Sequence, residues 1–388
     1  MSNPGYNCQE LTNLLSALKN LKSDFNLAYQ EILVSHDLSL ARALKIKVKE
    51  KVNSLEARTN PFNIAFEVDL RKNLAEQNNL DFVGAFHGGW AKVKKDGKYF
   101  FIDKTGKELS SERYESVGNF SEGLAWVRDS RGSIYIDRTG QEISLKRYNV
   151  AGDFHEGLAR VFDTGDHFFI NRAGQEISSE RYDLANNFSE GFAGVKQAGK
   201  MFFVDHAGKK LNFKEDYKEV CDFSEGLARV SKDKVMFFID YTGQRGVTTT
   251  YDNASSFVGG LAWVEKDGEV FYINYAGEKV ISVKYDFADD FHEGLARVEK
   301  DGKWSFIDRT GQEINAEKYD FASNFSEGLV RVVRNKEWFY VDRAGQEISA
   351  ERYAFAENFS EGLARVQEQE YGEYSYIDHT GRKIFDEK

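Results

Sequence analysis

The run Leu295-Ala296-Arg297-Val298-Glu299-Lys300-Asp301-Gly302-Lys303-Trp304-Ser305-Phe306-Ile307-Asp308-Arg309-Thr310-Gly311-Gln312-Glu313-Ile314 sets short apolar segments between two glycine turns. Leu295 to Val298 begin a strand. Lys300 to Lys303 form a hairpin turn in which glycine supplies a positive φ. Trp304 to Ile307 make a second strand. Asp308 to Gly311 form another turn, with Asp able to bond the backbone two residues on. Gln312 to Ile314 begin a third strand, and Lys318-Tyr319 lead back toward Phe325.

The unit is one of nine. Its anchors are Phe86, Phe120, Phe154, Phe188, Phe223, Phe257, Phe291, Phe325 and Phe359, at a spacing of 34 broken once by 35, and each is followed three residues later by glycine. A fixed period of this length is the mark of a repeat architecture. The 388-residue length alone suggests two or three domains. The repeat replaces that with one array over 80–388, preceded by a non-repeating segment, 1–79.

Columns of the repeat carry packing information. Two residues before the turn Asp or Asn the position is always aromatic: Phe101, Tyr135, Phe169, Phe203, Phe238, Tyr272, Phe306, Tyr340 and Tyr376. The next residue is always Ile or Val. Successive strand residues face opposite ways, so the second strand is apolar on both faces and must be covered on both. Stacked three-stranded sheets with the second strand central achieve this. A Tyr stands six residues before the anchor in eight copies, as a packed ring with its hydroxyl bonded. The column after Gly-Leu-Ala varies: Lys92, Trp126, Arg160, Gly194, Arg229, Trp263, Arg297, Arg331 and Arg365. Such a mixture points to solvent or a channel.

Composition excludes several classes. The chain has 52 Lys and Arg against 63 Asp and Glu, a net charge of -11, which argues against a nucleic-acid surface. Two cysteines, Cys8 and Cys221, build no disulfide framework and fit a reducing compartment. No run of 18 apolar residues and no signal-like start is present. A cytoplasmic location follows as the expectation, with export by a signal-independent route left open.

The pattern Phe-x-Glu-Gly-Leu-Ala-x-Val, Asp-Gly-Lys-Trp, Phe-Ile-Asp-x-Thr-Gly and a Tyr-containing return resembles the bacterial WG-repeat (KWG) family over about four-fifths of the chain. The Trp-Gly pair itself occurs in no copy; Trp304-Ser305, Trp338-Phe339, Tyr99-Phe100 and Met201-Phe202 stand in its place, and no proline precedes the Tyr. The resemblance implies a β-repeat, propeller-like architecture with no common catalytic activity. The expected fold is mainly β, with the repeats forming a propeller-like ring or, alternatively, an open β-superhelix or solenoid.

Residues 1–79 hold both prolines, Pro4 and Pro61, and carry 10 basic and 9 acidic residues, leaving 42 and 54 to the array. Leu11, Leu14, Leu18, Leu21, Phe25, Ala28 and Ile32 step by three and four, an apolar helical seam. A second amphipathic helix runs from Ala41 to Leu55 and a third from Pro61 through Leu70 and Leu74. This reads as a helical domain capping the array, with self-association through residues 11–32 or contact of the basic second helix with an acidic membrane surface as alternatives.

No catalytic motif is visible: there is no P-loop, GxSxG, HExxH or CxxC. His87, His155 and His292 share a column with Ser and Val, more consistent with a solvated turn than a metal site. The column Glu122, Glu156, Glu190, Glu225, Glu293, Glu327 and Glu361 offers equivalent carboxylates with nothing to separate acid from base, so each is expected to bond backbone amides. The Asp-x-Thr-Gly turn, its Asp followed by Arg, Lys or His, is a poor calcium cage. No cofactor, metal or enzyme activity is expected. The expected function is a protein-protein interaction scaffold, with Trp126, Arg160, Arg229, Trp263, Arg297, Arg331 and Arg365 as candidate binding residues for an unidentified protein or peptide; Trp126 and Trp263 serve equally well as gap-fillers. The alternative is a carbohydrate or small-ligand module built on repeated aromatic platforms.

Overall fold

The computed structural model describes residues 70–213, 217–360 and 362–386. Both alternatives for the N-terminal segment, the seam over 11–32 and the second helix, lie outside them. The end of the third expected helix lies inside: residues 70–78 are helical. No helix among the described residues is long and apolar enough to cross a membrane.

Nine separate antiparallel sheets follow among the described residues. Six have three strands, as in the seventh: Phe287–Ala288, Leu295–Lys300 and Lys303–Asp308. The fifth, sixth and ninth add a fourth strand, respectively Arg245–Tyr251, Lys279–Tyr285 and Lys383–Asp386. The order corrects the expected one. The first strand is the short segment between the return Tyr and the anchor Phe, so Leu295–Lys300 is central and Lys303–Asp308 lies toward the edge. The return chain flanks that edge through single bridges, Ile307 with Glu313 and Trp304 with Tyr319. The hairpin at Asp301-Gly302 has both residues at positive φ, +52° and +72°. That geometry matches the right-handed twist of the strands it joins.

Register explains the two apolar faces. In the seventh sheet Leu295, Arg297 and Glu299 pair with Asp308, Phe306 and Trp304 on one face, and Ala296 and Val298 pair with Ile307 and Ser305 on the other. The first face meets the next sheet and the second meets the previous one. Thus Leu124 and Tyr135 of the second sheet, with Tyr148 of the return chain bridged to Ser133, share a core with Ala151, Phe154, Ala159, Val161, Phe168 and Ile170 of the third. Phe169, between Phe168 and Ile170, points the other way and packs with Tyr182 of the return chain and with Ala185 and Phe188 of the fourth. Every second strand therefore belongs to two cores. The helix takes the place of a preceding sheet, with Leu74 packed among Ala91, Val93, Phe100 and Ile102 of the first.

The array is open, which corrects the expected propeller-like ring. Among the described residues strand pairing is confined within each sheet, and the first and ninth sheets exchange no strand. The ninth sheet shows the consequence. The forward aromatic is at most 2% exposed in the first eight sheets, but Tyr376 is only half-buried, as is Leu363 beside it. A hydrogen bond of 3.1 Å from Lys72 Nζ to the Ile384 carbonyl brings the helix beside the ninth sheet, a side-chain contact and not strand pairing. A complete repeat encodes how one sheet stacks on the next; nothing in its sequence encodes closure.

Two outcomes follow. Phe238→Ala, which empties a fully buried site between the fifth and sixth sheets, is expected to cost about 3–5 kcal/mol in chemical denaturation. Lys336, held at φ +71° in a hairpin where five other copies place Gly97, Gly165, Gly199, Gly268 or Gly302, is expected to stabilise the chain by about 0.5–1 kcal/mol when changed to glycine.

Candidate interaction surface

The Glu column builds the tightest repeat-to-repeat contact. Glu and the following Gly are the two central residues of a tight hairpin, closed by reciprocal bonds between Ser121 and Leu124 in the second copy. Glu225 sits at φ +55°, a conformation unusual for a non-glycine residue. Its carboxylate accepts the Gly259 and Gly260 amides of the next repeat at 2.7 and 2.8 Å. Tyr275 of that repeat donates its hydroxyl to the same carboxylate at 2.7 Å. Glu156 does the same with the Glu190 and Gly191 amides and with His206. The expected bonding to backbone amides is present, but the amides belong to the next copy. Serines of the neighbouring column also reach forward: Ser121 Oγ donates to the Phe154 carbonyl at 2.8 Å and Ser224 to that of Phe257 at 2.7 Å.

The turn aspartates are saturated. Asp137 Oδ1 accepts the Thr139 amide, the Thr139 hydroxyl and the Gln141 amide, at 2.8, 2.6 and 3.1 Å. The threonine hydroxyl, aided by the amides, holds Asp103, Asp137 and Asp308 below the usual carboxylate range. Among the described residues no three His, Cys, Asp or Glu side chains are placed to hold a metal.

The variable column lies in the gap between sheets. Trp126, Arg160, Arg229, Trp263, Arg297, Arg331 and Arg365 are all half-buried. Arg160 Nη1 donates to the Ala185 carbonyl of the next repeat at 2.6 Å, Arg297 Nη1 to that of Ala322 at 2.7 Å, and Arg331 to that of Ala356. Arg297 Nε also meets Asp289 Oδ2 at 2.7 Å. Arg229 Nη2 reaches Cys221 Sγ at 2.8 Å. Trp126 packs against the core between the second and third sheets, and a Cβ at Gly118 would collide with its indole. Trp263 packs against the core between the sixth and seventh. Each residue is thus fitted to a partner in its own array.

A surface the sequence reading did not single out runs across the last three sheets. Phe287 and Trp304 are 5.4 Å apart between ring centroids, Trp304 and Phe321 6.1 Å, and Phe321 and Trp338 5.6 Å. Phe355 and Tyr374 continue it on the ninth sheet, 6.0 Å apart. Arg297, Arg331 and Arg365 lie over Trp304, Trp338 and Tyr374 at 4.9, 4.8 and 3.4 Å. Phe287 and Phe321 remain 38% and 36% exposed. The signal was available as two further columns. The fifth and sixth sheets carry Glu219, Met236, Asn253 and Val270 where the last three carry rings. Elsewhere on these two sheets lies an open groove of about 620 Å³, lined by Tyr251, Lys266, Asp267, Glu269, Phe271 and Lys279 among others.

With this geometry established, comparison with known proteins is informative. The family model described as WG containing repeat matches eight segments, 79–99, 99–130, 135–164, 168–200, 236–269, 271–304, 304–338 and 338–370, more than half of the chain. The chain belongs to this family. The WG-repeat model skips 201–235, the stretch containing the copy whose anchor lies 35 residues from the last. No curated protein matches. Among solved structures, the WG-repeat array is similar to one described as a eukaryotic initiation factor, at 10% identity and a TM-score of 0.51, covering 76% of this chain and 94% of that one. It also matches a dihydro-heme d1 dehydrogenase at 13% identity, covering 79% and 72%, and Hsv2 of Kluyvelomyces marxianus at 11%, covering 67% and 91%, with TM-scores of 0.38 and 0.32. The initiation-factor likeness is one of fold.

Glu225→Gln is expected to cost about 1.5–3 kcal/mol in denaturation, because it removes the charge behind three inter-repeat hydrogen bonds. Acid provides a second check. The turn aspartates have folded values below the unfolded one, so their stabilisation is complete above about pH 4 and lost as pH falls through the lowered folded values. Asp222 and Asp290, raised by burial, act in the opposite sense, since protonation relieves them. Tm is expected to hold from pH 7 to 5 and fall below 4, with a shallower fall in Thr139→Ala/Thr310→Ala.

Proposed function

We propose that this WG-repeat array is a non-catalytic scaffold that receives protein partners on the aromatic surface of its seventh to ninth sheets. Its architecture is consistent with a protein-protein interaction scaffold. The observation that carries the reading is the continuity of Phe287, Trp304, Phe321 and Trp338 across two sheets, with exposed phenylalanine edges beside arginine-capped indoles. Trp, Tyr and Arg supply most of the binding energy at protein interfaces. Contiguous half-exposed rings on an otherwise charged array are a docking surface by composition. The earlier candidates Arg297, Arg331 and Arg365 act here by holding the rings in place, while Trp126, Arg160, Arg229 and Trp263 support the stack. A cytoplasmic setting suits a chain with so little cysteine.

The groove beside Phe271 supports a second reading, a small-ligand module. Lys279 Nζ lies over the Phe271 ring at 4.4 Å and 3.7 Å from Glu269, so an aromatic platform there has charged neighbours.

Affinity capture with the full chain, compared with Phe287→Ser/Phe321→Ser, tests the scaffold. A partner held by the wild type and lost at least tenfold by the variant, at unchanged Tm, is the expected result. Equal recovery by both chains would place binding elsewhere, and binding of a small ligand abolished by Phe271→Ala would favour the groove.

A further inference from the structure

The turn glutamate stands in seven copies of the repeat, and glycine replaces it in two, at Gly88 and Gly259. Where the glutamate is present, the next copy binds it. The Gly157, Gly191, Gly226, Gly260, Gly328 and Gly362 amides each donate to the glutamate of the copy before, at 2.8–2.9 Å. From that same next copy, the residue after the turn Asp or Asn meets the carboxylate: His206 reaches Glu156 at 3.1 Å, Tyr275 reaches Glu225 at 2.7 Å and His379 reaches Glu327 at 2.9 Å. The seat takes both oxygens of a flat carboxylate. Glu156 Oε1 accepts the Glu190 amide and Oε2 the Gly191 amide, at 2.7 and 2.8 Å.

The second copy carries the same seat, but the copy before it has no glutamate to offer. Its Glu122 and Gly123 form the same turn, at φ +50° and +84°, and neither amide donates to an acceptor among the described residues. Gly88 stands opposite, exposed and at φ +60°. Arg138, the residue after the turn Asp, takes the third place in the seat. Its Nη2 lies 2.9 Å from where a Cβ on Gly88 would be, and its Nε 3.7 Å from one on Gly123, which also lies 3.5 Å from Arg172 Nη2. Two backbone donors beside a guanidinium hold a carboxylate through charge-assisted hydrogen bonds. The sixth copy repeats the exchange: Gly259 faces the turn at Glu293-Gly294, and a Cβ on it would lie 2.3 Å from Arg309 Nη2.

We infer that the Glu122-Gly123 turn and Arg138 bind an acidic side chain of a protein partner, seated where a glutamate of the chain itself sits in other gaps. The inference rests on the scaffold reading only in that a protein carries the acid. The site belongs to the first and second sheets, and the aromatic surface to the last three.

NMR of the full chain labelled with 15N-glycine tests it, with the capped peptide Ac-Gly-Glu-Gly-NH2 as probe at constant ionic strength. The expected result is a saturable shift of the Gly123 amide signal while that of Gly226, already bonded to Glu190, stays in place. Binding is expected to weaken at least fivefold in Arg138→Ala. It is expected to vanish in Gly88→Glu, which supplies the carboxylate from within and raises Tm. Glutamates of other copies hold that turn position at φ +50° to +56°, so the variant adopts a conformation the array already uses. No shift at Gly123, an equal shift in Gly88→Glu, or an equal shift with Ac-Gly-Gln-Gly-NH2 would overturn the inference. Saturation by inorganic phosphate at a tenth of the peptide concentration would overturn it in favour of a phosphate site. Partner capture by Phe287→Ser/Phe321→Ser is read separately. The aromatic surface can fail in that capture while Gly123 responds to the peptide, and Gly123 can be silent while partners still bind the rings.

Discussion

One aromatic side chain per repeat ties this protein together. In the first eight repeats, two residues before the turn Asp or Asn, a Phe or Tyr leaves its own sheet and enters the core of the next. Its ring meets the anchor Phe there edge-on, at 4.8 Å for Phe169 and Phe188 and 5.0 Å for Tyr135 and Phe154. Its neighbours in the strand point back to the preceding core. A sheet built this way has no core of its own, only half-shares in two. Where the ring is a Tyr, the hydroxyl adds a second tie: Tyr135 to the Gly152 carbonyl, Tyr272 to Asp289 and Tyr340 to Glu357, at 2.6, 2.7 and 2.6 Å.

The polar columns repeat the same direction of dependence. The Glu carboxylate, the Ser hydroxyl and the variable Arg each reach forward to backbone groups of the following copy. The turn Glu occupies a left-handed conformation in which glycine is easier, and what offsets it is the pair of amides it receives. This also explains the mixture in the variable column. Trp126 needs Gly118 beneath it, and Arg297 needs Asp289; each copy solves the same gap with a different matched pair.

Period and turn chemistry made the nine units and both turns legible from sequence, because a fixed spacing of Gly, Asp and Phe leaves few alternatives. The double-sided second strand was legible because Phe306 and Ile307 are adjacent and both apolar. Strand order was not: Phe321-Ala322 is too short to show a period, and its pairing with Leu329–Arg334 depends on a hairpin at Glu327-Gly328 that the motif hid inside its anchor. The expected ring failed for a related reason, since curvature accumulates from small inter-sheet rotations that no residue type announces. The aromatic surface was missed because Phe321 and Trp338 belong to different columns and meet only when the strands are laid side by side.

Hydrogen exchange on Phe169→Ala is the most direct test of shared cores. Phe169 belongs to the third sheet and packs in the fourth. Exchange is predicted to accelerate in Leu184–Ala185, Phe192–Gln197 and Lys200–Asp205 as strongly as in the third sheet's own Asp166–Asn171. Acceleration confined to the third sheet, with the fourth still protected, would show that each sheet stands on its own core and would contradict the account.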